Sequence, residues 1–262
     1  MRVAVTGGTG YLGAHTVSAL LRAGHHVTLL VEPGWSNPAL LRRFQAAGSV
    51  VTLSGDLRDP DVTEELLRDC EAVFHAAGVV GTDESRAQLM WDVNAHASER
   101  IMRRGVALGL DPIVMVSSYS ALFPPPGRVI TPVSPTAEGK SAYALTKSYA
   151  DRVARNLQAD GAPVVVTYPS SVVGPALETP PGITEQGWAA IVRFGVAPKV
   201  RGAGMMMIDV RDTAEVHQRV MRPGRGPRTF AISLASAPGP HRHPRRSPLP
   251  SARPQTPRRA SA

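Results

Sequence analysis

The sequence predicts an α/β fold: a Rossmann-like doubly wound parallel sheet with a small, incomplete C-terminal substrate region. Three observations carry this reading. Short β-branched runs alternate with helix-length stretches through the first 168 residues. The runs are continuously apolar, without period-two alternation, as expected of strands covered on both faces. A glycine-rich turn sits where the first run gives way to the first helix-like stretch.

The expected strands are Arg2–Thr6, His26–Val31, Ser49–Leu53, Ala72–His75, Ile113–Ser117 and Pro163–Tyr168. Between them, Tyr11–Ala23, Pro38–Ala47, Pro60–Asp69, Ser85–Leu108 and Ser141–Ala159 read as helices. Pro38 after Ser36-Asn37 and Pro60 after Asp59 are start signals, because proline suits the first helical position and Asn or Asp caps it. Such alternation implies right-handed crossovers between parallel strands. After Tyr168 the pattern loosens into a loop over Pro169–Gly182, a short helix over Ile183–Phe194, a strand over Met205–Val210 and a helix over Thr213–Met221. The expected organisation is therefore a dinucleotide-binding domain over residues 1–168, a partial substrate region over 169–221 and a disordered Pro/Arg-rich tail over 222–262, broken only by an apolar stretch around Phe230–Leu234.

The net charge of +8 suggests nucleic-acid binding, but its distribution argues otherwise. Residues 222–262 hold nine arginines and no acid, whereas residues 1–221 hold 20 Lys plus Arg against 21 Asp plus Glu. The fold itself is near neutral, and the tail has neither interleaved aromatics nor a folded platform, so no specific nucleic-acid partner is expected. The single cysteine, Cys70, excludes an intramolecular disulfide and fits a reducing compartment. With no run of ~18 to 20 apolar residues and strand-like sequence from Arg2 onward, no membrane span or signal peptide is expected, and a cytoplasmic location follows. No metal site is expected; His241 and His243 in the tail have no converging ligands.

Thr6-Gly7-Gly8-Thr9-Gly10-Tyr11-Leu12-Gly13 fits a phosphate-binding turn. Glycine permits the tight bend, lets the backbone approach a pyrophosphate and lets helix and strand pack closely. The helix N-terminus then offers free N–H groups and a positive dipole end to the phosphates. At the end of the second strand Glu32 can accept from ribose hydroxyls and would repel a 2′-phosphate, which favours NAD over NADP. Arg42 and Arg43 on the next helix could pair a phosphate and are the counter-argument for NADP, although a solvated helix face is their more ordinary reading. Asp56 and Leu57 follow the third strand, where a carboxylate and a backbone amide can meet adenine.

Tyr143 and Lys147 stand four residues apart and share one helix face. A nearby cation is expected to lower the phenol pKa and make it a proton donor or acceptor near neutral pH. Ser117 and Ser118 end a strand on the side that faces a cofactor crevice, where a hydroxyl can hold a substrate oxygen.

With these motifs in order, residues 1–221 resemble the extended short-chain dehydrogenase/reductase superfamily, of the NAD-dependent epimerase/dehydratase type, and most of all its dihydroflavonol reductase and 3β-hydroxysteroid dehydrogenase branch. The matching segments are residues 6–13, Gly55–Asp59, His75–Gly78, Asn94, Val116–Ser118, Tyr143–Lys147, Tyr168–Pro175 and Ile208–Asp212. The resemblance implies that Tyr143 is the general acid/base, Lys147 its tuning partner and Ser118 the carbonyl-orienting hydroxyl, with Ser117 as fallback. Asn94 would support the lysine or a water. Gly7, Gly10, Tyr11, Leu12, Gly13, Glu32, Asp56, Leu57 and Lys147 would hold the cofactor, Ala76, Ala77 and Gly78 would pass beneath it, and Pro169 and Ser170 would border the nicotinamide. Helices Ser85–Leu108 and Ser141–Ala159 are those that relatives use for dimers, so a homodimer is an expectation.

The sequence departs from the resemblance at Glu32, where NADP-using reductases carry arginine, and after Gly224–Arg228, where the match fades. The second departure suggests a truncated or out-of-frame C-terminus and an open substrate pocket. Of the smaller signals, His15, His25, His26 and His75 read as turn, surface or packing residues, Met205–Met207 as core or pocket lining, Pro124–Pro126 as a stiff loop bordering substrate, and Trp188 as packing. The leading expectation is an NAD(P)-dependent oxidoreductase that interconverts a secondary alcohol and a ketone on a small-molecule substrate. A nucleotide-sugar epimerase or dehydratase and a non-catalytic NAD(P)-binding protein are the rivals.

Overall fold

In the computed structural model, residues 1–127, 129–195 and 205–233 are described. The predicted class holds. Strands β1 (Arg2–Thr6), β2 (His26–Val31), β3 (Val50–Ser54), β4 (Ala72–His75), β5 (Ile113–Val116), β6 (Val164–Pro169) and β9 (Arg228–Ile232) form one sheet in the order β3-β2-β1-β4-β5-β6-β9, with every neighbouring pair parallel. A separate pair, β7 (Ser171–Val173) and β8 (Met207–Asp209), is also parallel.

Helices α1 (Tyr11–Arg22), α2 (Pro38–Ala47) and α3 (Pro60–Leu67) follow the first three strands. Asn37 Oδ1 accepts from the Leu40 amide at 3.0 Å and Asp59 Oδ1 from the Asp61 amide at 2.9 Å, so the two proline-marked starts are capped as their sequences promised. The stretch expected as one helix over Ser85–Leu108 is four pieces: a 3₁₀ turn (Glu84–Arg86), α4 (Ala87–Met90), a π turn (Trp91–Ala97) and α5 (Ser98–Ala107). The wider π turn changes the helical phase and keeps Asn94, Ala95 and Ala97 buried together. Helix α6 (Ala142–Ala159) follows, then α7 (Ile183–Phe194) and α8 (Val210–Val220).

Two apolar layers clad the sheet. One includes Ile101, Met102, Ile113, Leu122 and Val166; the other includes Val5, Leu20, Leu29, Phe44 and Phe74. The strands are buried on both faces except at the edge: β3 leaves Val51 65% exposed, contrary to the double covering expected of all strands.

Two expectations for the C-terminal part are corrected. Disorder does not begin at residue 222, because β9 pairs with β6 from Val165↔Arg228 to Pro169↔Ile232 and extends the main sheet. Parallel pairing to a buried neighbour gave this short apolar run an ordered place that no local periodicity announced. Met205 and Met206 are half-exposed rather than core. Trp188 is half-buried on α7, a helix without a buried residue. His241 and His243 lie outside the described residues.

Candidate active site

The C-terminal ends of β1, β2, β4, β5 and β6 open into one cleft of about 800 Å³. Its floor begins at the glycine turn. Gly7 has φ +71°, and a Cβ there would lie 2.4 Å from the Ala77 nitrogen; one on Gly13 would lie 2.0 Å from the Gly7 carbonyl oxygen. These two glycines are demanded by the protein's own backbone. Gly10 is different: it is exposed, and a Cβ would meet only the Gly7 oxygen, at 3.4 Å. It caps α1, whose first turn carries no side-chain cap and no acid. Open space over a glycine at an uncapped helix start suits a pyrophosphate.

Beside this turn, Thr6 Oγ1 accepts from the Ala77 amide at 3.3 Å and bonds His75 Nδ1 at 2.6 Å, and His75 Nε2 bonds Ser98 Oγ at 2.8 Å. The chain of bonds fixes Ala76, Ala77 and Gly78 against the end of β1. His75 is thus a brace, as its sequence context suggested. Burial, with some help from Lys147, pushes its pKa down to about 3, so the ring is neutral.

Glu32 and Pro33 line the cleft at the end of β2, and Asp56, Leu57 and Arg58 line it after β3. Asp56 is held by Arg58, whose Nε lies 3.0 Å from both carboxylate oxygens, and this pairing lowers the Asp56 pKa. Arg42 and Arg43, the residues that argued for NADP, do not line this cleft.

At the opposite wall, Ser141 Oγ and the Glu84 carboxylate accept from the Ala144 and Ala142 amides, each at 3.2 Å. These bonds fix the start of α6 and hence Tyr143 in its first turn. Tyr143, Lys147, Ser117 and Ser118 all line the cleft. Lys147 is 8% exposed, and its Nζ donates to the Val116 carbonyl at 3.3 Å. Burial depresses its pKa to about 8.

The phenol does not respond as expected. Burial raises the Tyr143 pKa; the Ser118 hydroxyl beside it opposes the rise, and the lysine is not among the causes. Desolvation, rather than the neighbouring cation, sets the direction of the shift. Asn94, expected to support the lysine or a water, works through the backbone. It is fully buried, does not line the cleft, and spends its amide on the Val79 backbone, accepting from the nitrogen at 2.7 Å and donating to the oxygen at 2.9 Å. It clamps the loop after β4 next to Gly78, where a Cβ would stand 3.3 Å from Asn94 Oδ1 and 3.5 Å from Lys147 Nζ.

Pro169 and Ser170 close the cleft, with Ser170 Oγ and Ser117 Oγ buried and without hydrogen-bond partners. The Ser170 amide donates to the Ile232 carbonyl at 2.8 Å, so β9 supports the site. Sequence reasoning missed this contribution, and it missed the wall formed by Arg86, Gly182, Ile183 and Thr184. Their only signal is glycine and proline around a loop, which does not say where the loop returns. Tyr11 brings it back: its hydroxyl donates to the Gly174 carbonyl at 2.8 Å and its ring covers Gly182. Burial, then Glu185 and Asp209, push the Tyr11 pKa up to about 12. Among the described residues no group of three or more His, Cys, Asp or Glu could hold a metal.

The cleft, the strand order and the glycine turn define a dinucleotide-binding α/β protein. The model of the NAD dependent epimerase/dehydratase family matches residues 3–233, and the chain belongs to that family. A UDP-glucose 4-epimerase of Neisseria meningitidis serogroup B is 30% identical over 164 residues, 60% of this chain and 48% of that protein. A Synechocystis protein named provisionally as a dihydroflavonol 4-reductase is 28% identical over 228 residues, 84% of this chain and 63% of that protein. The crystal structure of UDP-glucose 4-epimerase from Bifidobacterium longum in complex with NAD+ and UDP superposes with a TM-score of 0.73 at 25% identity, covering 89% of this chain and 78% of that one. The chain spans about half the length of the first curated relatives it matches.

Proposed function

We propose that this chain binds NAD and interconverts a secondary alcohol and a ketone, with Tyr143 moving the hydroxyl proton. The observation that carries the reading is the meeting of Tyr143, Lys147 and Ser118 in the same cleft as the glycine turn. Bound NAD supplies the hydride acceptor, or in its reduced form the donor. The amides at the start of α1 hold its phosphates, and Glu32 accepts from ribose hydroxyls. Ser118 donates to the substrate oxygen and holds it beside the phenol. Tyr143, whose raised pKa keeps it protonated at neutral pH, gives its proton to a carbonyl oxygen and takes one back in the oxidative direction. Lys147 provides a cation behind both groups. Tyr143→Phe tests this. Turnover on any substrate of the unaltered chain is expected to fall by at least ~100-fold while NAD still raises the melting temperature. Turnover within a few-fold of the original removes Tyr143 from the mechanism.

A second reading, favoured by the epimerase relatives, is that the alcohol belongs to a nucleotide sugar and the cofactor is regenerated in each cycle. Conversion of a UDP- or dTDP-sugar without net change in NADH absorbance selects it. Net NADH production or consumption selects the simple oxidoreductase.

A further inference from the structure

Gly174 stands at a junction between the glycine turn and the wall of the cleft formed by α7. Its carbonyl accepts from the Tyr11 hydroxyl at 2.8 Å, and its amide donates to the Glu185 carboxylate on α7. Tyr11 opens α1 directly after Gly10, and Glu185 follows Ile183 and Thr184, which line the cleft. One peptide unit thus joins the turn that suits a pyrophosphate to the first turn of α7. Tyr11 meets the other end of the same loop as well: a Cβ on Gly182, the residue that caps α7, would lie 2.7 Å from two carbons of its ring. His15, one helical turn farther along α1, holds the neighbouring loop residue through Nε2, which donates to the Pro175 carbonyl at 2.8 Å. The loop before α7 is therefore fastened to α1 by both of these side chains.

Little else holds α7. None of its residues is buried, and Ile183, Val192 and Phe194 are exposed. Among the described residues its side chains make two hydrogen bonds outside the helix: Gln186 Nε2 donates to the Pro181 carbonyl just before the helix start, and Glu185 accepts from Gly174. A helix with so little buried surface opens locally at small cost, so whatever restrains its anchor restrains the helix. A ligand on the amides at the start of α1 adds contacts to the Tyr11 backbone. It thereby reduces the freedom of the Tyr11 side chain and of the peptide that side chain grips, and the effect reaches α7 as lost conformational freedom without a large displacement. The Tyr11 phenol, its pKa pushed up to about 12, stays a donor throughout the neutral range.

We propose that Tyr11, Gly174 and Glu185 form a relay by which NAD seated on the glycine turn steadies α7, so that cofactor binding sets the wall where Ile183 and Thr184 face the substrate. The relay rests on the reading above that NAD occupies the turn. The test is amide hydrogen exchange of the full chain with and without saturating NAD, followed by mass spectrometry in one peptide over the glycine turn and one over residues 183–194. In the unaltered chain NAD should slow exchange several-fold in both. Tyr11→Phe keeps the ring over Gly182 and removes only the hydroxyl. Glu185→Ala removes the acceptor, whereas Glu185→Gln keeps an oxygen for the Gly174 amide. Protection of the turn should persist in all three variants. NAD-dependent protection of residues 183–194 should vanish in Tyr11→Phe and Glu185→Ala and survive in Glu185→Gln. Side chains that merely braced the loop would speed exchange of α7 equally with and without NAD and leave the NAD-induced ratio intact, which overturns the relay. A protected turn with unaffected α7 in the unaltered chain also overturns the relay alone. Should Tyr11→Phe lose NAD itself, the contrast between Glu185→Ala and Glu185→Gln decides. An unprotected turn in the unaltered chain sinks the function proposed above together with the relay.

Discussion

The glycines of the turn separate folding from binding one residue at a time. Gly13→Ala drives a methyl into the Gly7 carbonyl, backbone against backbone, so it should destabilise the fold. Gly10→Ala meets nothing closer than 3.4 Å, and φ −86°, ψ 172° is ordinary for alanine. Its expected effect is a melting temperature within about 2 °C of the original and, on the proposed function, at least a tenfold loss of NAD affinity, read by calorimetry. A large drop in melting temperature for Gly10→Ala would mean that the protein, not a ligand, requires the glycine. Lys147 gives a second residue-scale prediction. Its pKa is about 8 in the fold and near 10.5 when unfolded. Below pH 8 both states are protonated and the full cost of burying the charge is present, about 3 kcal/mol at the upper limit. Between pH 8 and 10.5 the unfolded chain binds more protons, so this term favours folding as pH rises. Lys147→Met should therefore raise the cofactor-free melting temperature at pH 7 and gain less at pH 10.

Buried histidines stitch the elements together. His75 on β4 joins Thr6 on β1 to Ser98 on α5, and His217 on α8 bonds Thr16 on α1 and Thr167 on β6, each at 3.2 Å. Burial lowers both pKa values to about 3. Below pH 6.5 the unfolded chain takes up protons that the native rings refuse, and stability falls toward pH 3. At pH 5 the two together cost about 4 kcal/mol. Denaturant titrations at pH 7 and pH 5 should show that loss, and the His75→Gln/His217→Gln variant should show a much smaller difference between the two pH values, whatever its absolute stability. An unchanged difference would place the acid sensitivity elsewhere.

At the scale of the molecule, the cleft depends on a strand from the far end of the chain. A chain ending at Pro227 removes β9, bares the edge of β6 and takes away the Ile232 carbonyl that holds Ser170. It should melt at a lower temperature and, on the proposed function, bind NAD more weakly than the full chain, with both effects measured in one thermal-shift series with and without NAD. The small unit of β7, β8 and α7 closes one side of the cleft through Tyr11, so the helix that begins at the glycine turn also anchors the wall opposite. No helix among the described residues is long and apolar enough to cross a membrane.

Much of this was legible in the sequence. The order and type of the main elements in the first 168 residues followed from apolar runs and proline-marked caps, because burial and helix capping are local requirements; the break of Ser85–Leu108 into four pieces did not. Gly7, Gly10, Gly13, Glu32, Asp56, Ala76, Ala77, Gly78, Ser118, Tyr143, Lys147, Pro169 and Ser170 all line one cleft, because motifs at strand ends are brought together by parallel topology alone. The tertiary structure decided what depends on neighbours distant in the chain. It turned Asn94 into a backbone clamp and made β9 a strand of the main sheet. It raised the phenol of Tyr143 instead of lowering it, because desolvation is set by everything packed around a group and not by the residue four places along its helix.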